Sequence, residues 1–291
     1  MQSIILNMLE KLKRSRVKVS LYAFLVINIL VWSFYLSLPD GKLHLKVLDV
    51  GQGDAVYLET PGGYRILVDG GPDSRVLKHL GSNVPFYSRK IDLLILTHPQ
   101  ADHLTGLVEV AKRYQIGTLW VSNSENNTKI FAEWQQVLRR KRINKIEVSA
   151  GDKITLPDKT NVLVVWPKKD LKSADLNSYS VVVLVSFGNF DALLTGDADR
   201  QVQPYTGMSS PVEVFKVPHH GSKTALNEGF VKTLSPEISI ISVGERNSYG
   251  HPNQGLINFL ETIASKVYRT DKNGTVEIVS DGNSWYTNSQ R

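Results

Sequence analysis

A chain of 291 residues, 42% apolar and 21% charged, has enough apolar side chains for a packed core, which excludes a disordered polymer. It has no cysteine, so disulfides, thiolate metal sites and cysteine nucleophiles are excluded, and any metal must be held by imidazole and oxygen donors. The net charge of +6 is uneven: residues 1–38 hold five basic residues and one acid, which leaves only +2 for the remainder, too little for a basic nucleic-acid wrapper.

Residues 1–18 form a basic N-terminal segment containing Lys11, Lys13, Arg14, Arg16 and Lys18. Residues 19–38 follow without a charge, which is the length of a membrane-spanning helix. Pro39, Asp40 and Gly41 stop it. The basic flank favours a single-pass protein of the cell membrane, N-terminus in the cytoplasm and residues 39–291 outside as one domain. A cleaved signal peptide and a buried core helix are the competing readings of the apolar stretch, although no A-x-A cleavage pattern precedes Pro39.

From Leu43 the pattern becomes strand-like. "LHLKVLDV" alternates and breaks at the turn "GQGD"; "AVYLET" and "YRILVDGG" predict the next strands, and "SRVLKHL" a short helix. "IDLLILTH" is a nearly continuous apolar run, expected for a central strand buried on both faces, that delivers a polar loop at residues 98–103. Helices are expected over 104–114, 129–142, 227–234 and 254–263, with strands over 116–122, 145–149, 152–156, 161–167, 179–188, 189–197, 212–222, 237–244, 266–270 and 274–282. The basic run "LRRKR" at 138–142 suits either DNA phosphates or the solvated end of a helix, and the second is favoured because cations complement a helix C-terminus. No Walker loop and no Gly-x-Ser-x-Gly elbow is present.

Three expected strands end in polar clusters. The first holds His98, Gln100, Asp102 and His103, the second Asp197, the third His219 and His220. Taken singly, each is an ordinary strand-end residue; together they form an N/O donor set suited to zinc or manganese, with Asp197 able to bridge two ions and either His219 or His220 completing the set.

"LDVGQGDA" at 48–55, "ILVDGG" at 66–71, "THPQADHLTG" at 97–106, "LLTGDA" at 193–198, "VPHHGS" at 217–222 and "YGHP" at 249–252 stand in the order of the metallo-beta-lactamase superfamily. More narrowly, residues 43–280 resemble the extracytoplasmic hydrolase domain of ComEC-type DNA-internalisation proteins. The resemblance implies an α+β fold, a four-layer αββα sandwich with its site on one edge. The superfamily's first loop reads H-x-H-x-D-H; here the second position is Gln100, where ComEC-like members often carry Asp. The superfamily also supplies a histidine before the bridging Asp, but none occurs between His103 and His219. An Asn-x-x-Ser stretch stands there instead in the ComEC-like branch, matched by Asn177 and Ser180.

By that likeness one site holds Asp102, His103, Asp197 and His219 or His220, and a weaker one holds His98, Gln100 and Asp197 with help from Asn177. One or two divalent ions are expected, the oxygen-rich weak site tilting toward manganese. Metal-activated water is then expected to attack phosphorus, with Asp102 accepting a proton and His251 contacting a phosphate or protonating the leaving oxygen. Ser222 and Lys223 are candidate phosphate contacts; Asn177 and Ser180 are candidate substrate contacts. Asp49, Asp54 and Asp69 are read as supporting or loop-fixing groups, Asp69 setting the tautomer of a ligand histidine.

The implied function is a membrane-anchored, metal-dependent phosphodiesterase or nuclease acting on DNA. The alternatives are a hydrolase of a small or cell-envelope phosphodiester, and a metal-poor non-catalytic domain assisting a DNA-uptake channel, for which Gln100 is the best argument. The lipid bilayer is the partner of residues 19–38. With one apolar segment, a role in DNA uptake calls for a separate membrane channel protein.

Overall fold

The structure, a computed structural model, describes residues 2–36, 38–85 and 87–291, and side chains from residue 16 onward apart from Leu36. The basic Lys11, Lys13 and Arg14 therefore fall outside the described side chains, and Ser37 outside the described residues. The chain divides into two units, Met1–Asp40 and Gly41–Arg291.

The first unit is the helix α1 (Gln2–Leu36). The basic segment expected to precede the apolar span is part of the same helix, because no glycine or proline interrupts the chain before Pro39. Within it Arg16–Tyr35, 20 residues of mean hydropathy 1.9, is long and apolar enough to cross a membrane. The Asn28 amide donates to the Phe24 carbonyl one turn back at 2.8 Å, so this polar group is satisfied inside the helix.

The second unit runs β1 (Leu43–Val47), β2 (Val56–Glu59), β3 (Arg65–Val68), α2 (Arg75–Asn83), β4 (Lys90–Leu96), α3 (Ala101–Arg113), β5 (Gln115–Val121), α4 (Lys129–Lys141) and β6 (Asn144–Glu147). It continues with β7 (Lys153–Thr155), β8 (Asn161–Trp166), β9 (Val182–Phe187), β10 (Phe190–Leu194), β11 (Val214–Lys216), α5 (Glu228–Leu234), β12 (Ile238–Ile241), α6 (Gln254–Thr262), β13 (Lys266–Arg269), α7 (Thr270–Asn273), β14 (Val276–Ser280) and β15 (Trp285–Ser289). One sheet has the order β15-β14-β1-β2-β3-β4-β5-β6, the other β13-β12-β11-β10-β9-β8-β7.

The layers follow from alternation along the strands. Leu93 and Ile95 of β4 pack between the sheets against residues such as Val183, Leu194 and Ile240. Leu94 and Leu96 point the other way, under Leu104 and Leu107 of α3 and Trp134 of α4. On the outer face of the second sheet, Leu193 and Phe215 meet Phe230 of α5 and Leu260 of α6. This is the four-layer αββα sandwich expected from the sequence, and it explains the unbroken apolar run of β4, a strand buried on both faces.

Three elements differ from expectation, the first being the four-residue α7 between β13 and β14, where no helix was expected. β15 was not foreseen: "WYTNS" lies at the sheet edge with largely exposed side chains, so it carries no apolar periodicity. α3 begins at Ala101 rather than 104, so Asp102 and His103 sit in its first turn and not in a free loop. An acid there complements the positive end of the helix dipole. Arg139, Arg140 and Lys141 of the "LRRKR" run form the exposed last turn of α4 and Arg142 its end, while Leu138 is buried.

Close backbone contact holds α3 in place. The Gly70 amide donates to His103 O at 2.8 Å and the Gly106 amide to Gly71 O at 3.0 Å. A Cβ on Gly106 would lie 1.8 Å from Gly70 O. Gly106→Ala gains about 1 kcal/mol of helix propensity but meets rigid backbone, and overpacking costs about 1–3 kcal/mol or more. Net destabilisation in urea unfolding is the expected result; an unchanged or raised midpoint would show the contact to be slack.

Candidate metal centre

β3 and β4 are parallel neighbours, as are β10, β11 and β12. The C-terminal ends of these strands gather at one edge of the sandwich, the usual place for a site in a parallel arrangement. Asp69 follows β3, residues 98–103 follow β4, Asp197 follows β10 and His219–Gly221 follows β11.

Hydrogen bonds set the tautomer of each inward-facing histidine. Thr97 Oγ1 donates to Asp69 Oδ2 at 2.7 Å, so its lone pair is open to the His98 Nδ1–H, 3.0 Å away. His103 Nδ1 donates to Asp69 Oδ2 at 2.8 Å. His220 Nδ1 donates to Ser242 O at 3.0 Å and lies 3.3 Å from Asp54 Oδ1. All three rings therefore turn Nε2 inward, that of His220 toward Asp102 Oδ2 at 3.3 Å, the arrangement that carboxylate or carbonyl partners on Nδ1 impose on ligand histidines. Asp69 adopts a left-handed φ of 57°, and the Thr97 amide, donating to Oδ1 at 2.9 Å, helps hold it there.

His103 Nε2 lies 3.4 Å from Asp197 Oδ2 and 3.9 Å from Asp102 Oδ2. His220 Nε2 lies 3.3 Å from Asp102 Oδ2 and 3.8 Å from Asp197 Oδ2. One ligand atom from each of Asp102, His103, Asp197 and His220 falls within 4.8 Å of the others, and Asp54, Asp69 and His103 make a second such group. The His98 and His103 rings are 4.2 Å apart, which brings His98 beside the first group.

The electrostatics suit a cation. Burial opposes ionisation of Asp197, but His103 and His220 outweigh it and hold the carboxyl well below the usual range. Asp102 is lowered in the same way, against burial, by His103 and His220. Burial disfavours charge on His220, yet Asp197 and Asp54 raise it to about 10, and His103 rises likewise against burial beside Asp197, Asp69 and Asp102. His98, by contrast, is lowered to about 3 by burial and by neighbouring His103. His98 Nε2, His103 Nε2 and Asp197 Oδ1 are buried without a hydrogen-bond partner among the described residues. Orphaned donor atoms beside ionised carboxylates are what a divalent ion satisfies, so the residues fit one or two such ions.

Of the two candidate third-strand histidines, the fold turns His220 into the cluster. His219 stands beside it, its Nδ1 3.4 Å from Asn177 Nδ2. Gln100 sits at the N-cap of α3 and donates from Nε2 to Asn177 Oδ1 at 2.7 Å, so Asn177 joins Gln100 to His219. Ser180 Oγ accepts the Asp197 amide at 3.2 Å and lies 3.4 Å from His98 Nδ1, a supporting place beneath the ligands. Ser222 is buried next to Thr224, while Lys223 is exposed. Asp49 is turned elsewhere: its carboxylate lies 3.3 Å from Arg291 and its carbonyl accepts from His79. Asp54 contacts the ammonium of Lys216 as well as His220.

Sequence reasoning passed over Lys216, Thr97, Ser242 and Tyr249. Lys216 alone left a readable signal, a lysine next to the buried end of the strand "VFKV", since a fully buried lysine needs a partner. Asp102, Asp197, His219, His220, His251 and Tyr249 line an open cleft of about 350 Å³.

Residues 48–245 match the sequence profile of the metallo-beta-lactamase superfamily. The chain is 29% identical over 295 residues to ComE operon protein 3 of Bacillus subtilis, covering 94% of this chain and 38% of that protein. It is 28% identical over 283 residues to Recombination protein 2 of Haemophilus influenzae, covering 92% of this chain and 33% of that one. It thus spans well under half the length of either relative. Among solved structures, the metallo-beta-lactamase fold protein YhfI from Bacillus subtilis superposes with a TM-score of 0.54 at 13% identity, over 78% of this chain and 96% of that one. With more than half of its residues matched to the profile and its histidines and aspartates meeting at one sandwich edge, the chain belongs to the metallo-beta-lactamase superfamily.

Proposed function

We propose that this chain is a membrane-anchored, metal-dependent phosphodiesterase that cleaves DNA outside the cytoplasm. Fold and cluster support a metal-dependent hydrolase in general terms. The observation that carries the reading is the cluster of Asp102, His103, Asp197 and His220 opening into the cleft. The direction toward DNA rests on the motif likeness and on the names of the relatives, a ComE operon protein and a recombination protein.

His98, His103, His220, Asp102 and Asp197 hold the ion or ions. When bound, a divalent cation lowers the pKa of water and offsets charge on a phosphoryl oxygen. Asp102 has a side chain 32% exposed, whereas that of Asp197 is 1% exposed. Asp102 is thus the carboxylate that meets the cleft and can accept a proton from attacking water. Burial lowers the pKa of His251, with His220 and His219 adding to the effect. The ring lines the cleft, where it contacts a phosphate oxygen or protonates the leaving oxygen. Asn177 keeps Gln100 and His219 in place at the cleft wall.

The basic residues before Arg16–Tyr35 support an N-terminus in the cytoplasm and the second unit outside. In DNA uptake the partner would be a membrane channel. The small charge surplus beyond the anchor favours a second reading, hydrolysis of a small or envelope phosphodiester.

The test is a side-by-side assay of the full chain in detergent, supplied with manganese or zinc, on single-stranded DNA and on a small chromogenic phosphodiester. DNA cleavage that stops on chelation is expected. Turnover of the small ester alone would shift the assignment to the second reading, and failure to bind any metal would leave a non-catalytic domain.

A further inference from the structure

Tyr249 is the most exposed large hydrophobic side chain among the described residues, at 70%. Even residues of the apolar α1, such as Tyr22 at 68%, are less open. A tyrosine this bare contributes little to the core. Its ring is nevertheless well placed: it stacks on His251 with centroids 5.7 Å apart and planes at 27°. His251 in turn meets His219 edge-on at 6.1 Å, and both histidines line the cleft with Asp102 and Asp197.

The loop that carries this tyrosine is tied at both ends. Asn247 donates from Nδ2 to Gly244 O at 2.9 Å and to His251 O at 2.8 Å, and accepts the His251 amide at 3.0 Å. The Gly244 amide donates to Gln52 Oε1 at 3.1 Å, and the Asn253 amide to Gly221 O at 2.8 Å. Gly250, with φ 70°, supplies the turn beside the aromatic ring. A fixed loop that presents a bare aromatic face loses little freedom when a flat ligand lands on it.

We propose that Tyr249, backed by His251, is a stacking platform for the nucleobase next to the phosphodiester engaged at the metal centre of Asp102 and Asp197. The proposal deepens the phosphodiesterase reading and rests on it for the nature of the strand. Base stacking tolerates any sequence, because every base has a π-face, so the subsite selects nucleic acid over base-free esters without reading sequence. A quaternary ammonium headgroup is the other ligand an aromatic face attracts, but it is recognised by a cage of several rings, whereas this is a single stacked pair open on one side.

The test uses the full chain in detergent and two fluorescent phosphorothioate strands of equal length, one oligothymidylate and one abasic, with binding read by anisotropy. Native protein is expected to bind oligothymidylate about tenfold more tightly, in line with the worth of one stacked base. Tyr249→Ala should erase that difference, while Tyr249→Phe and Tyr249→Trp keep it. Equal binding of the two strands by the native chain, no measurable binding of either, or a difference that survives Tyr249→Ala overturns the proposal. Cleavage of ordinary DNA in parallel reports separately on the hydrolase: a binding difference without cleavage sinks that reading and leaves the platform standing.

Discussion

Asp197→Ala is expected to abolish both metal retention and turnover while leaving the sandwich folded. The carboxylate lies between His103 and His220, at 3.4 and 3.8 Å from their Nε2 atoms, and is 1% exposed. It is ionised despite burial because those two rings stand beside it. Removing it deletes a negative charge shared by the whole donor set and leaves two imidazoles facing one another. Loss of an outer hydrogen-bond partner already costs roughly 10–100-fold in metal affinity or activity; loss of a ligand in the centre should exceed that range. The residue lies in a turn after β10, outside the ladder, so the far-ultraviolet dichroism should stay native. Metal content after dialysis and DNA hydrolysis are the two readouts. Native metal content with native turnover would remove Asp197 from the centre.

Lys216→Met should be the most destabilising single change away from the ligands. Lys216 is 1% exposed on β11 and its ammonium contacts the carboxylate of Asp54, itself 2% exposed. Burial opposes the charge on Asp54, but Lys216 and then His220 hold its pKa below the ordinary value. The pair's contribution is therefore complete above the ordinary carboxylate pKa and fades only as pH falls through the lower folded value. Removing one partner of a buried pair strands the other and costs about 3–5 kcal/mol, whereas replacing both with apolar groups is close to neutral. Lys216→Met combined with Asp54→Leu should thus regain most of the urea stability. It should not regain metal binding, because Asp54 no longer faces His220 Nδ1, and affinity should stay roughly 10–100-fold down. A single variant as stable as the native chain would show the pair to be hydrated, and a double variant with full metal affinity would deny Asp54 any part in orienting His220.

Much of the fold is written in local periodicity. β4 reads as a buried central strand because it is apolar on both faces, and α4 announces itself by its amphipathic run; the structure adds the Thr128 cap, whose side chain accepts the Phe131 amide. β15 escaped because an exposed edge strand has no apolar face to display. The start of α3 was set three residues late because Asp102 and His103 are polar, and a polar first turn looks like loop until the helix behind it is seen.

The identities of the chemical groups were determined by the sequence alone: histidines and aspartates at the ends of apolar strands, with no thiol to compete. Which of them share a centre was decided only in three dimensions. The choice of His220 over His219 depends on the left-handed turn at both residues and on Ser242 and Asp54 receiving the ring from behind. The place of Lys216 depends on Asp54, 162 positions earlier in the chain, arriving beside it. Strand pairing and layer packing bring such distant residues together, and a one-dimensional pattern carries no measure of the distance between them.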